Sequence, residues 1–141
     1  MSLDPTVIRS LAVTAEDVVA ALETNLTSDR EAVLRVTPPF SGRMRARLHL
    51  RQGDGANEPT GPVHVPPETL LEPDPPAYPR PADTEARLRD DSDREYTVER
   101  HRERHVEAVD AWRMDVRGAI RGRATLETHA GPVDIDVSVL G

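Results

Sequence analysis

Ala32–Arg51, AVLRVTPPFSGRMRARLHLR, is the stretch whose reading decides the fold. Val33, Arg35 and Thr37 alternate with Ala32, Leu34 and Val36. Beyond Pro38-Pro39-Phe40-Ser41-Gly42, Arg43, Arg45, Arg47, His49 and Arg51 alternate with Met44, Ala46, Leu48 and Leu50. An extended chain sends successive side chains to opposite faces, so a period of two predicts a β-hairpin with one apolar face turned to a core. The other face carries five arginines and one histidine. Nowhere else is the sequence so chemically pointed.

That face is the candidate binding surface: Arg35, Arg43, Arg45, Arg47 and Arg51, with Phe40 at the hairpin tip. Any register that keeps the two apolar sets together places Arg35 opposite an odd-numbered residue of the second strand, which in tight-turn registers is Arg43, Arg45 or Arg47. Like charges directly opposite one another destabilise a sheet, so something negative is expected nearby. It can be intramolecular, from Asp134, Asp136 and Glu127 on C-terminal strands that share the same sheet. It can also be an external anion or an acidic partner. Neutralisation by Asp134 and Asp136 is the expectation, because alternating charge on a strand usually marks a solvated face. Phe40, behind two prolines, has the position of a wedge between base steps or of a contact to a protein partner.

Working outward, Asp4-Pro5 opens a short helix bearing Val7, Ile8 and Leu11, and Thr14 caps a second whose stripe is Val18, Ala21 and Leu22. Gln52–Pro62 has turn chemistry, and Val63-His64-Val65 reads as a short strand. Prolines then crowd the chain, so Glu72–Asp83 is expected to be an extended linker, mobile or docked through Tyr78. One or two helical turns follow at Thr84–Arg89. Ser92 with Glu95 forms a capping box for a long helix to about Arg121, with Gly122 as its C-cap. Its apolar positions are Val98, His105, Val109, Trp112, Val116 and Ala119 or Ile120. A second hairpin closes the chain, with Val133, Ile135, Val137 and Val139 on one face and Asp134, Asp136 and Ser138 on the other. The expected fold is one α+β domain over residues 1–141. A small antiparallel sheet of two hairpins is covered on one face by the N-terminal helices and the long helix, with a proline-rich arm at about 72–93.

Composition narrows the chemistry. The 141 residues include no cysteine, which removes disulfides, thiolate metal sites and cysteine nucleophiles. All 18 basic residues are arginine, so a lysine-dependent phosphate loop and Schiff-base chemistry are excluded. The net charge of −7 repels nucleic acid on average while leaving room for a local basic face. Aromatic residues are 3% of the chain, too few for a base-stacking platform. No apolar run is long enough to span a bilayer, and Asp4 stands where a secretory leader needs positive charge, so a cytoplasmic protein is expected. His101 and His105 share one side of the long helix, as zinc ligands do, but Arg102 stands where a metalloprotease has its glutamate, and no third ligand is evident. Asp134 and Asp136 form a weak magnesium signal, and Gly53-x-Gly55 is a turn. No catalytic residue, metal site or cofactor is assigned.

The strings VTPPFSGRMRARLH, VPPETLL, PPAYPRP and YTVERHRERHVEAVDAWR resemble a family of small uncharacterised proteins from halophilic archaea, over most of the chain. The resemblance carries no site residue. It implies a cytoplasm of molar salt, where the Debye length is roughly 3 Å. The expected function is a non-catalytic protein-protein interaction or structural module, with an unknown protein as partner. The alternative is a nucleic-acid-associated module using the arginine face.

Overall fold

The structure is a computed structural model that describes residues 2–51, 61–90 and 97–140. Seven strands and three helices make an α+β fold, as expected, but the strands form two sheets. The strands are β1 (Ser10–Thr14), β2 (Glu31–Val36), β3 (Arg43–Arg45), β4 (Arg47–Arg51), β5 (Val63–Val65), β6 (Arg123–Thr128) and β7 (Gly131–Leu140). The helices are α1 (Ala15–Thr27), α2 (Pro81–Asp90) and α3 (Val98–Gly118). One sheet has the order β3-β1-β7-β6, the other β4-β2-β5.

The single antiparallel sheet is therefore corrected. The arginine-rich arm of the first hairpin divides: β3 runs parallel to β1 in the four-stranded sheet, while β4 pairs antiparallel with β2. Between them Ala46 is fully buried, and its N–H donates to the Ala12 carbonyl at 2.9 Å. The C-terminal hairpin forms as expected, with Ile135 opposite Ala124 and Val133 opposite Leu126. Gly131, at φ 106°, takes up a backbone conformation that costs glycine nothing.

The first N-terminal helix is the second correction. Only Pro5–Val7 coils, as a single 3-10 turn capped by Asp4, whose Oδ1 accepts from the Thr6 N–H at 2.9 Å. Leu11 then belongs to β1, where Leu11 and Val13 are buried and Ser10, Ala12 and Thr14 are half-buried. Ile8, Leu11 and Val13 fit neither period cleanly. The parallel slot between β3 and β7 settles the matter, since a strand there satisfies its backbone on both sides. α1 begins where expected: the Thr14 hydroxyl accepts from the Asp17 N–H at 3.1 Å, and Glu16 and Asp17 complement the positive end of the helix. Val18, Ala21 and Leu22 are buried against β2 and the core, which also takes in Leu34, Val36, Phe40, Trp112 and Ile135.

The proline-rich arm is docked. The indole of Trp112 donates to the Pro76 carbonyl at 2.9 Å, and Tyr78 meets the same ring edge-on with centroids 4.8 Å apart. The Tyr78 hydroxyl donates to Glu23 on α1 at 3.0 Å, and Arg113 grips the same carboxylate with bonds of 2.9 and 3.0 Å. The Glu23 carboxyl is held below its ordinary pKa, chiefly by Arg113. The extended stretch ends sooner than expected, because Pro81 suits a first helical turn and opens α2. α3 begins at Val98, where the Thr97 hydroxyl accepts from the Arg100 N–H at 3.0 Å. The expected Ser92 capping box lies outside the described residues. The stripe of α3 holds at Val109, Trp112 and Val116, but Val98 is exposed, and the helix stops at Gly118, short of Gly122.

The side chain of Asn25 extends the smaller sheet. Its Nδ2 donates to the Ala32 carbonyl at 2.9 Å, and its Oδ1 accepts from the Ala32 N–H at 2.6 Å. β5 pairs only with Leu34–Val36, so Asn25 stands where a longer β5 would run. Asn25→Ala strips both partners from a buried residue and is expected to cost about 1–3 kcal/mol. Urea denaturation checks this against Leu26→Ala at an exposed neighbour, expected within about 0.5 kcal/mol of wild type. Equal losses at the two positions would contradict the role given to Asn25.

Candidate anion-binding cleft

The register of β2 with β4 sets Arg35 directly opposite Arg47, and β5 brings His64 to the other side of Arg35. Arg47, Arg35 and His64 therefore form one row on the polar face of the smaller sheet. One step along, the His49 and His64 rings stack with centroids 5.6 Å apart and planes 17° apart. Val33, the cross-strand partner of His49, is buried on this otherwise polar face. Among the described residues, Arg51 is the arginine of this face that pairs with an acid, Glu31 at 3.1 Å.

Arg45 joins this group from the other sheet. It ends β3, one residue before the crossing at Ala46, while Arg47 begins β4 one residue after it. The two sheets diverge there and leave a cleft of about 320 Å³, lined by Arg35, Arg45, Arg47 and His49, with Thr37, Met44 and Leu48 completing its walls. Among the described residues no carboxylate side chain lines the cleft or pairs with Arg35, Arg45 or Arg47; Asp17 of α1 comes close, accepting from the N–H of the wall residue Leu48 at 3.3 Å. Arg35 Nε donates to Thr37 Oγ1 at 3.4 Å, and its Nη1 lies 3.3 Å from His49 Nδ1. Arg45 Nε is buried without a hydrogen-bond partner. The His64 pKa is pushed below its ordinary value, first by burial and then by Arg51, His49 and Arg35, with Glu31 pulling the other way. Chemically this is a hole of concentrated positive charge with donors to spare.

The other residues read from sequence fall elsewhere. Arg43 is exposed at the edge strand of the larger sheet, in the row Arg43, Ser10, Asp136, Arg123. Asp136 lies 3.7 Å from Arg123, and Asp134 accepts from the Thr125 hydroxyl at 2.7 Å. Neither aspartate makes an ion pair with an arginine of the hairpin among the described residues: Arg35, Arg47 and Arg51 belong to the other sheet, and β1, with Ser10 between Arg43 and Asp136, separates β3 from β7. Phe40 is fully buried in the core and exchanges backbone hydrogen bonds with Ser2, so the hairpin tip presents no aromatic wedge.

His101 and His105 turn toward α2, where His101 Nε2 donates to the Pro81 carbonyl at 2.9 Å and His105 Nδ1 lies 3.3 Å from the Thr84 hydroxyl. Among the described residues no group of three metal-ligating side chains converges. Sequence reasoning left His64 and Thr37 out of the site. The alternation Val63-His64-Val65 was the available signal: once β5 pairs with β2, the buried valines force His64 onto the arginine face.

The Arg35–Arg47 pair has a measurable consequence. With like charges opposed and no acid between them, Arg47→Gln is expected to raise stability by roughly 0.2–1 kcal/mol in urea denaturation at low salt. A loss of stability instead would mean that Arg47 serves the fold.

No helix among the described residues is long and apolar enough to cross a membrane. Searches of curated proteins and of solved structures give no match to the chain. A family model spans all of it, residues 1–141, and the chain belongs to the family described as Domain of unknown function (DUF8009).

Proposed function

We propose that this protein is a non-catalytic binding module that engages another protein by seating an anionic group of that partner in the cleft between the two sheets. The observation that carries this reading is the convergence of Arg35, Arg45 and Arg47 on one cleft without a carboxylate among the described residues. A fold that sets two arginines opposite one another and buries part of a third gives up stability, and an external anion accounts for that. Charge-assisted, bidentate bonds from guanidinium act at contact distance. They are screened less than longer-range attraction in the molar salt that the halophilic resemblance implies.

A protein partner is favoured over nucleic acid by the aromatic residues. Phe40 and Trp112 are buried and Tyr78 is engaged with Trp112, so none of these offers a base a free ring face. The nucleic-acid reading retains one supporting feature, the stacked His49 and His64 rings beside the arginines.

A salt titration of binding distinguishes the two. An oligoglutamate peptide is expected to bind, and Arg35→Gln with Arg47→Gln to abolish it, while single- and double-stranded DNA and RNA bind weakly. Tight nucleic-acid binding whose log–log salt slope drops by roughly one per arginine removed would favour the alternative. The pH dependence follows from His64. Its folded pKa lies below the ordinary value of 6.5, and a bound anion offsets the neighbouring arginines and raises it. With the oligoglutamate probe, binding therefore takes up a proton, and affinity is expected to rise as pH falls from the His64 pKa of the complex through the lower one of the free protein. His64→Asn should flatten that rise.

A further inference from the structure

We infer that the anion held by this cleft is a phosphoryl group in its dianionic, monoester form, rather than a carboxylate or the diester of a nucleic-acid backbone; this rests on the reading of the cleft as a binding site. The charge count comes first. Arg35, Arg45 and Arg47 line one space with no acid among the described residues. A carboxylate brings a single negative charge and leaves the cleft strongly positive. A phosphomonoester brings about −1.5 to −2 at neutral pH. A backbone phosphodiester brings one charge, like the carboxylate.

Geometry agrees. The three arginines come from three strands, β2, β3 and β4, in two different sheets, and all three line the cleft. A carboxylate is flat, has two oxygens and is matched by one or two forks. A terminal phosphoryl group is tetrahedral and offers three acceptor oxygens, enough for a donor from each arginine. Arg45 supplies a buried Nε–H that no group among the described residues satisfies. Arg35 keeps one donor on Thr37 and one near His49, which fixes its plane and leaves its remaining N–H groups for a ligand. Met44 and Leu48 complete the walls with apolar surface, which lowers the local dielectric and strengthens each charge-assisted bond. At about 320 Å³ the cleft admits the phosphoryl group together with the first atoms of what carries it.

Calorimetric titration of the full chain tests this with defined probes. They are a short Gly/Ser peptide carrying one phosphoserine, the same peptide with Asp at that position, the unmodified peptide, inorganic phosphate, and a single-stranded oligonucleotide without terminal phosphate. The phosphoserine peptide is expected to bind at least about tenfold more tightly than the Asp peptide and the oligonucleotide. That preference should vanish in Arg45→Gln and in Arg47→Gln and survive in Arg123→Gln, whose arginine lies outside the cleft. Circular dichroism confirms that each variant is folded. Phosphopeptide binding above that of inorganic phosphate places the group on a protein side chain; equal binding places it on a small molecule, and both support phosphoryl recognition. Equal binding of the Asp and phosphoserine peptides, lost together in Arg47→Gln, would overturn the phosphoryl inference and leave the anion cleft standing. No binding of any anionic probe would overturn both.

Discussion

The chain between Arg43 and Arg51 belongs to two sheets, and the passage from one to the other at Ala46 governs much else in the molecule. Ala46 is fully buried and tied by its N–H to the Ala12 carbonyl, so the strand is anchored to β1 at the point of crossing. A larger side chain there meets the closely packed interior, where added volume typically costs about 1–3 kcal/mol. Because the strand changes sheets between Arg45 and Arg47, residues two apart in sequence do not simply continue along one ribbon. They flank the opening between two sheets, and the cross-strand partner of Arg47 brings Arg35 to the same place. A flat hairpin would have spread these charges along its length. The crossing gathers them.

Much of the remaining structure steadies that arrangement. α1 lies on the smaller sheet, and Asn25 supplies β2 with backbone-like bonds where β5 ends. Glu23 ties α1 to α3 through Arg113 and to the proline-rich arm through Tyr78, while Trp112 holds the arm through the Pro76 carbonyl. Since Glu23 is held below its ordinary pKa of 4.5, its contribution is present above that value and fades as pH falls through the folded pKa. Acid therefore weakens the clasp of helix, arm and long helix. It leaves the Arg35–Arg47 opposition in place, since arginine does not titrate in this range.

Local signals in the sequence were informative where one element decides its own structure. The Thr14 cap, the α1 stripe, the β6–β7 alternation and the Val109-Trp112-Val116 spacing are all recovered in the structure. The cluster of odd-numbered arginines was equally legible, as was the opposition of Arg35 to one of them. Pairing choices between distant segments were not legible. Ser10–Thr14 is five residues long and compatible with either period, and only its slot between β3 and β7 makes it a strand. An alternating pattern also says nothing about which sheet a strand joins. Arg43–Arg51 reads as one strand although Ala46 divides it, and the expected neutralisation by Asp134 and Asp136 depended on a single shared sheet. His64 was hard to place for the same reason: the Val63-His64-Val65 alternation marks its face, but its neighbours come from β2 and β4.

The central claim is that the crossing makes Arg35, Arg45 and Arg47 a single anion site. The most direct measurement is a nitrogen-15 NMR titration that follows the arginine Nε–H signals as an anionic probe, oligoglutamate or inorganic phosphate, is added. The signals of Arg35, Arg45 and Arg47 are predicted to move together along one saturating curve, with Arg45 newly hydrogen-bonded and Arg123 unmoved. Shifts spread evenly over all arginines, or saturation of Arg43 and Arg123 without Arg45, would contradict the account.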